Sequence, residues 1–270
     1  MERIFETIDE PVLVDDDPDA IPMPAIKGKV EFQNVSFSYD EKKEVLHNVS
    51  FTVEPGESVA LVGPTGAGKT TILGLLVRNY EPQKGDIFID DQNIKDIKVE
   101  SIRKAVGQML QDVFLFSGNV RDNITLFDDK FNDEEIMEAC KYVNADHFIE
   151  QLDNKLDQEV VERGENFSQG QRQLLSFART ILHKPQILLL DEATANIDTE
   201  TEVLIQESLE KMKNIGTMLV VAHRLSTIQK ATQIVCLQNG EIVEKGNHQE
   251  LLKNKGYYFK LYELQFSNQK

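Results

Sequence analysis

From Val30 onward, apolar and polar positions take turns along the chain. Val30-Glu31-Phe32 and Val35 to Tyr39 follow a period of two, which predicts antiparallel strands with one wet face. Leu46 to Val53 continues the pattern, and Pro55-Gly56 marks a turn. Ser58 to Val62 is different: a short apolar run, as in a strand buried on both faces. A glycine-rich turn follows, then a helix predicted over Thr70–Asn79. Gly85–Asp90 reads as another strand, with a turn near Asp91.

Between about 119 and 182 the period becomes helical. Asn132 and the acidic Asp133, Glu134 and Glu135 look like a capped helix N-terminus. Ile136, Ala139, Cys140 and Val143 then recur at helical spacing. A second helix is predicted over Ser168–Leu182. Ile187–Leu190 is a second buried strand, Val203–Met212 a helix and Thr217–Ala222 a third strand. Asn239-Gly240, between Gln233–Leu237 and Glu241–Glu244, signals a hairpin. The pattern is α/β, with a helical insertion between two strands of one sheet. The first 25 residues stand apart. Met1 to Ile8 reads as a helical tail, but Pro11, Pro18, Pro22, Pro24 and Asp15-Asp16-Asp17 exclude a longer helix or a central strand. This stretch is either an extended, acidic, surface-running linker or a disordered end.

Composition narrows the picture. The chain has 270 residues, 40% of them hydrophobic, enough to bury one large core or two modest ones. The 29 basic and 46 acidic residues give a net charge of −17. A surface of that sign repels phosphate backbones and argues against a nucleic-acid platform, while leaving room for one locally positive pocket. The longest apolar run is Met218–Ala222, five residues, against the roughly 20 needed for a membrane span. No signal peptide is expected, since Glu2 follows Met1 with no apolar stretch nearby. Cys140 and Cys236 lie in apolar segments and read as buried, reduced thiols rather than a disulfide framework.

The turn after Ser58–Val62 carries chemistry. Gly63-Pro64-Thr65-Gly66-Ala67-Gly68-Lys69-Thr70-Thr71 fits G-x-x-x-x-G-K-S/T in the strand–turn–helix context that motif requires. Its glycines let backbone N–H groups wrap a phosphate, Lys69 reaches the outer phosphates, and the Thr70 hydroxyl can ligate magnesium. Asp191, at the end of the apolar Ile187–Leu190, supplies a carboxylate for that metal, and Glu192 beside it can polarise an attacking water. Together these say only P-loop NTPase, with Mg2+ beside the phosphates of a nucleotide. Between them, Phe167-Ser168-Gln169-Gly170-Gln171-Arg172-Gln173 is a polar segment that opens a helix.

With that segment, residues 28–265 resemble the nucleotide-binding domains of ATP-binding cassette (ABC) transporters. The resemblance implies a RecA-like P-loop NTPase core, an antiparallel β subdomain and an inserted α-helical subdomain at about 115–182. It implies a nucleotide-binding domain over 26–270 and, at 1–25, a linker from a transmembrane domain that this chain lacks. It assigns Tyr39 to stacking on adenine. Gly63, Thr65, Gly66, Gly68, Lys69, Thr70 and Thr71 fall to the phosphate cradle. Ser168, Gly170 and Gln171 form the signature that binds the nucleotide of a partner domain. Asp191, Thr70 and Gln111 would serve magnesium; Glu192, His223 and Gln111 would serve catalysis. The D-loop matches Ala195-Asn196-Ile197-Asp198. Glu159 to Gly164, Phe114 to Ile124 and Glu2 to Glu6 look like exporter segments that meet or continue membrane domains, which places the chain at the cytoplasmic face of the cell membrane.

Two departures matter. Phe167 and Gln169 replace a leucine and a glycine of the usual signature, and Asn196 and Ile197 depart from the usual D-loop. Since Glu192 and His223 are kept, the chain resembles the catalytically competent half of a heterodimeric exporter. The competing reading is a non-hydrolysing, ATP-gated regulatory module, against which Glu192 speaks. A soluble ABC ATPase of translation or DNA repair is disfavoured by the single cassette, the exporter segments and the charge.

Overall fold

The computed structural model describes residues 14–40, 43–110, 112–191, 197–222 and 224–266, with side chains through 264. The chain opens with β1 (Val30–Ser38), β2 (Glu44–Val53) and β3 (Ser58–Val62). Helix α1 (Lys69–Leu76) leads to β4 (Lys84–Ile89), β5 (Gln92–Asn93), α2 (Val99–Ala105) and β6 (Val106–Met109). A mainly helical stretch follows: β7 (Gly118–Asn119), α3 (Val120–Thr125), α4 (Asp133–Tyr142), α5 (Asp146–Ile149), β8 (Glu159–Val160) and α6 (Gln169–Leu182). The chain then returns through β9 (Ile187–Asp191), α7 (Thr199–Met212), β10 (Thr217–Val221), α8 (Leu225–Gln229), β11 (Gln233–Gln238) and β12 (Glu241–Gly246). It ends in α9 (His248–Asn254) and α10 (Tyr257–Phe266).

Six strands in the order β12-β11-β3-β10-β9-β6 make the central sheet, parallel apart from β12. Alternation sorts its side chains onto two cores. Val59, Leu61, Leu189, Leu219 and Val235 pack with α1 and the antiparallel sheet β2-β1-β4-β5. Ala60, Val62, Leu188, Leu190, Val220 and Cys236 pack against α4, α6 and α7 on the other face. Both faces are covered, which is why these strands read as apolar runs. The helical stretch lies between β6 and β9 in the chain, so the expected α/β core, antiparallel subdomain and helical insertion are all present. Asn239 and Gly240 both have positive φ, +49° and +82°, as a two-residue hairpin turn demands. Cys140 and Cys236 are fully buried and unpaired, and burial pushes each thiol up to about 12.

Some boundaries move. Val30–Phe32 and Val35–Ser38 belong to one strand, interrupted by Asn34 at φ +52° and a register shift, and Tyr39 falls just beyond its end. Helix α7 starts four residues before Val203, because the Asp198 carboxylate caps it by accepting from Thr201 N at 2.9 Å. The helix expected over Thr70–Asn79 stops at Leu76. Arg78, at φ +50°, turns inward and is buried at 2% exposure.

Arg78 explains how the start of the chain is held. Residues 1–13 lie outside the described residues; residues 14–25 contain no helix, make one turn in which Ala20 N donates to Asp17 O at 2.8 Å, and are pinned to the domain. Arg78 Nη2 donates to Asp15 O at 3.0 Å and to Glu81 Oε1 at 2.7 Å, and Nη1 to Ile97 O at 2.7 Å. Asp16 Oδ1 accepts from Arg78 Nη1 at 3.4 Å and from Val99 N at 2.8 Å, capping α2 from a distance. Ile21 bridges to Ile97, Met23 N donates to Ser101 Oγ, and the Asp90 carboxylate accepts from the amides of Lys27, Gly28 and Lys29. Asp16→Ala removes a helix cap and a partner of a buried guanidinium together. It is expected to lower stability by about 1–2 kcal/mol; urea unfolding measures the loss, with Asp16→Asn retaining part of it.

Candidate nucleotide site at the strand ends

Parallel strands gather their carboxyl ends on one edge of a sheet, where loops can form a crevice. Here β3 runs into the loop Gly63–Gly68, and α1 begins at Lys69. Gly68 takes the N-cap position at φ +98°, and a Cβ there would collide with Leu46. Gly66 sits at φ +81° with open space around it, so glycine is required there by the backbone angle alone. Lys69 is 6% exposed and folds back over the loop, donating to Gly63 O at 2.8 Å and Pro64 O at 3.0 Å. Burial pushes its pKa below the ordinary lysine value, and the Asp191 charge works against that shift. The Thr70 hydroxyl donates to Asp191 Oδ2 at 2.8 Å, joining the start of α1 to the end of β9. Thr71 is buried, with its hydroxyl 2.9 Å from that of Tyr39; Thr65 is exposed on the loop.

The donor set suits a phosphate with a hard divalent cation. N–H groups at the N-terminus of α1 and the Lys69 ammonium would face anionic oxygens. Thr70 and Asp191 present a hydroxyl and a carboxylate at one point, and a magnesium ion usually takes only one or two protein oxygens besides phosphate and water. Among the described residues no group of three or more His, Cys, Asp or Glu is placed to hold a metal by itself. Gln111, Glu192 and His223 lie outside the described residues, as do Ala195 and Asn196. The strands preceding positions 192 and 223 do end at this edge, since Val221 of β10 pairs in parallel with both Leu61 and Asp191.

The signature segment opens α6 through a reciprocal cap. Ser168 Oγ accepts from Gln171 N at 3.2 Å, and Gln171 Oε1 accepts from Ser168 N at 2.9 Å. Gln169 is the first helical residue, exposed, and absent from the positive-φ positions, so its backbone does not need glycine. Phe167 is buried, 6.2 Å from Phe148 between ring centroids; its place is in the core. Gly170 has a packing reason: a Cβ there would run into Thr201 of α7 and lie 3.2 Å from Ile197 Cγ2. Among the described residues no hydrogen bond joins 168–171 to 63–71. The two segments open two different helices, α1 and α6.

One apolar surface was read from the sequence only in part, through the exporter-like segment Phe114 to Ile124. Leu110, Phe114, Phe116, Leu126 and Phe127 are all exposed, and Phe116 contacts both Phe114 and Phe127. Leu115 between them is fully buried, so burial alternates within an unbroken apolar run, Val113-Phe114-Leu115-Phe116, whose sequence does not show which residues face outward.

A family model described as ABC transporter matches residues 46–195. An uncharacterized ABC transporter ATP-binding protein of Bacillus subtilis strain 168 is 49% identical over 98% of this chain and 44% of its own length. A probable multidrug resistance ABC transporter ATP-binding/permease protein of the same strain is 50% identical over 88% of this chain and 35% of its own. An ATP-dependent lipid A-core flippase of Syntrophus aciditrophicus is 44% identical over 100% of this chain and 45% of its own. The solved structure of a bacterial Atm1-family ABC exporter with ATP bound superposes with a TM-score of 0.91 at 39% identity, covering 98% of this chain and 46% of that one. The chain spans less than half the length of each of these relatives.

Gly170→Ala is expected to cost about 1–3 kcal/mol through overpacking against α7. Thr201→Ala in the same chain removes the opposing methyl and should recover most of that loss; thermal unfolding of the single and double variants measures both.

Proposed function

The chain belongs to the ABC transporter family as a nucleotide-binding domain homologous to those of exporters, and from that footing we propose that it binds and hydrolyses ATP to power export of a substrate across a membrane. Lys69 over its loop, with Thr70 and Asp191 in contact beside it, is the observation that carries this reading. In it, Gly63, Thr65, Gly66, Gly68, Lys69, Thr70 and Thr71 hold the triphosphate and Tyr39 stacks on the base. Thr70, Asp191 and Gln111 attend Mg2+, which when bound neutralises charge on the phosphates. Glu192 orients the attacking water, and His223 and Gln111 complete the site. On the family resemblance we assign Ser168, Gly170 and Gln171, which open a different helix from the chain's own loop, to the nucleotide of a second domain, so that ATP is sandwiched as two domains close.

The preferred second domain is a different chain. Gln169 sits in ordinary helical geometry above a fully formed helix start, so its side chain, not a distorted backbone, would alter the partner's site. The exposed rings of Phe114 and Phe127, both in contact with Phe116, suit an apolar partner, and we assign them to the chain's own membrane domain. Among the described residues no helix is long and apolar enough to cross a membrane, so cargo recognition is placed in the part of the relatives that this chain does not span. We assign the domain to the cytoplasmic face on its homology to exporter ATP-binding proteins. The regulatory reading, in which ATP closes the domains without hydrolysis, is opposed by the carboxylate at position 192.

Three substitutions test the assignments. Glu192→Gln is expected to leave ATP affinity intact and slow turnover of the assembled transporter about 10²–10⁴-fold; turnover within threefold of the parent would remove Glu192 from the mechanism. Lys69→Ala deletes the charge facing the outer phosphates and should weaken ATP binding itself, as read by calorimetry. Gln169→Gly should raise the ATPase rate of this domain acting as a homodimer at high protein concentration. Fast, concentration-independent hydrolysis by the unmodified domain would overturn the need for a partner.

A further inference from the structure

A ring that receives a nucleobase must be held in one orientation, or stacking spends its gain on ordering the ring. Tyr39 lies just beyond β1 and is 56% exposed, a position at which a tyrosine normally samples several rotamers. Contacts on three sides hold it. Its hydroxyl is 2.9 Å from Thr71 Oγ1. Its ring stands at 85° to Phe37, with centroids 4.9 Å apart, and at 88° to Tyr80, at 5.0 Å. Phe37 and Tyr80 also touch each other, at 5.5 Å. Phe37 is buried at 2% exposure, so the three-ring group is rooted in the core.

Tyr80 comes from elsewhere in the chain, from the turn after α1. It leans on the middle of that helix: a Cβ at Gly74 would lie 3.7 Å from its ring. One helix therefore presents Lys69, Thr70 and Thr71 to the phosphates at its start and seats Tyr80 one turn later. The Tyr39 side chain is thus referred to α1 twice, its hydroxyl through Thr71 and its ring through Tyr80.

The geometry points to Tyr80 as a positioning residue for the nucleobase: it fixes the Tyr39 ring, through a perpendicular ring contact, at a set distance from the phosphate cradle, and so determines how much the base adds to nucleotide affinity. The inference rests on the ATP-binding reading above. Tyr80 need not touch the nucleotide; it acts by sparing Tyr39 the cost of becoming ordered.

The test compares two ligands of the 270-residue chain by calorimetry. Magnesium ATP carries base and phosphates; magnesium tripolyphosphate carries a similar charged tail and no base. Tyr80→Ala should weaken ATP binding about three- to tenfold, the range of one aromatic pair, and leave tripolyphosphate binding within about twofold. Tyr80→Phe keeps the ring and should bind ATP as the parent does. Unchanged ATP affinity in Tyr80→Ala would overturn the inference. So would parallel loss of both ligands, or equal damage from Tyr80→Phe. A parent that binds tripolyphosphate as tightly as ATP overturns it too, because the base then adds nothing. A parent that binds neither ligand instead brings down the ATP-binding reading, and the inference with it.

Discussion

A hydroxyl on α1 and a carboxylate at the end of β9 meet at 2.8 Å only because β10, lying between β3 and β9, pairs in parallel register with both. That register is fixed from two sides. Each of these strands sends alternate residues into two different cores, so a slip of one residue would exchange the two sets and mismatch both. The glycine-rich loop, the Asp191 carboxylate and the chain at positions 192 and 223 all end or follow strands held in this way. The chemistry therefore inherits its geometry from packing on both faces of one sheet, with little need for the loops to fix themselves.

The parts built from that double burial were legible in the sequence. Ser58–Val62, Ile187–Leu190 and Thr217–Ala222 announce themselves as apolar runs, and the loop after the first is recognisable from its glycines and lysine. The hairpin at Asn239-Gly240 and the cap at Asn132 were equally plain, because turn and cap chemistry is local. Strand β6 was not legible: Val106-Gly107-Gln108-Met109 is short, sits at a sheet edge and carries a glycine and a glutamine. Nor was α2, whose single fully buried residue, Ile102, gives no periodicity to read. Arg78 was invisible for a physical reason. A guanidinium is expected at the surface, and only partners scattered from Asp15 to Ile97 make its burial tolerable.

The signature segment separates what a motif says from why its residues are there. Gly170 is needed because α7 crosses so close, while Gln169 occupies a position that any residue can adopt. Phe167 stands in the core against Phe148, at the position where the usual signature has a leucine. The departures from the familiar pattern thus fall where the backbone tolerates them, and the one glycine that sterics demand is retained. Sequence spacing alone gave all three positions the same weight.

The stretch from Asp15 to Lys29 is fastened at successive points: the Arg78 clasp, the Ile21–Ile97 bridge, the Met23–Ser101 bond and the Asp90 carboxylate. Tension applied from the residues before Asp15 would reach these fastenings one after another, as in peeling a strip of tape, and not all at once as in shear. The first to bear it is the clasp on the turn after α1, so mechanical load entering the molecule there arrives at the helix that carries the phosphate loop before it reaches any strand.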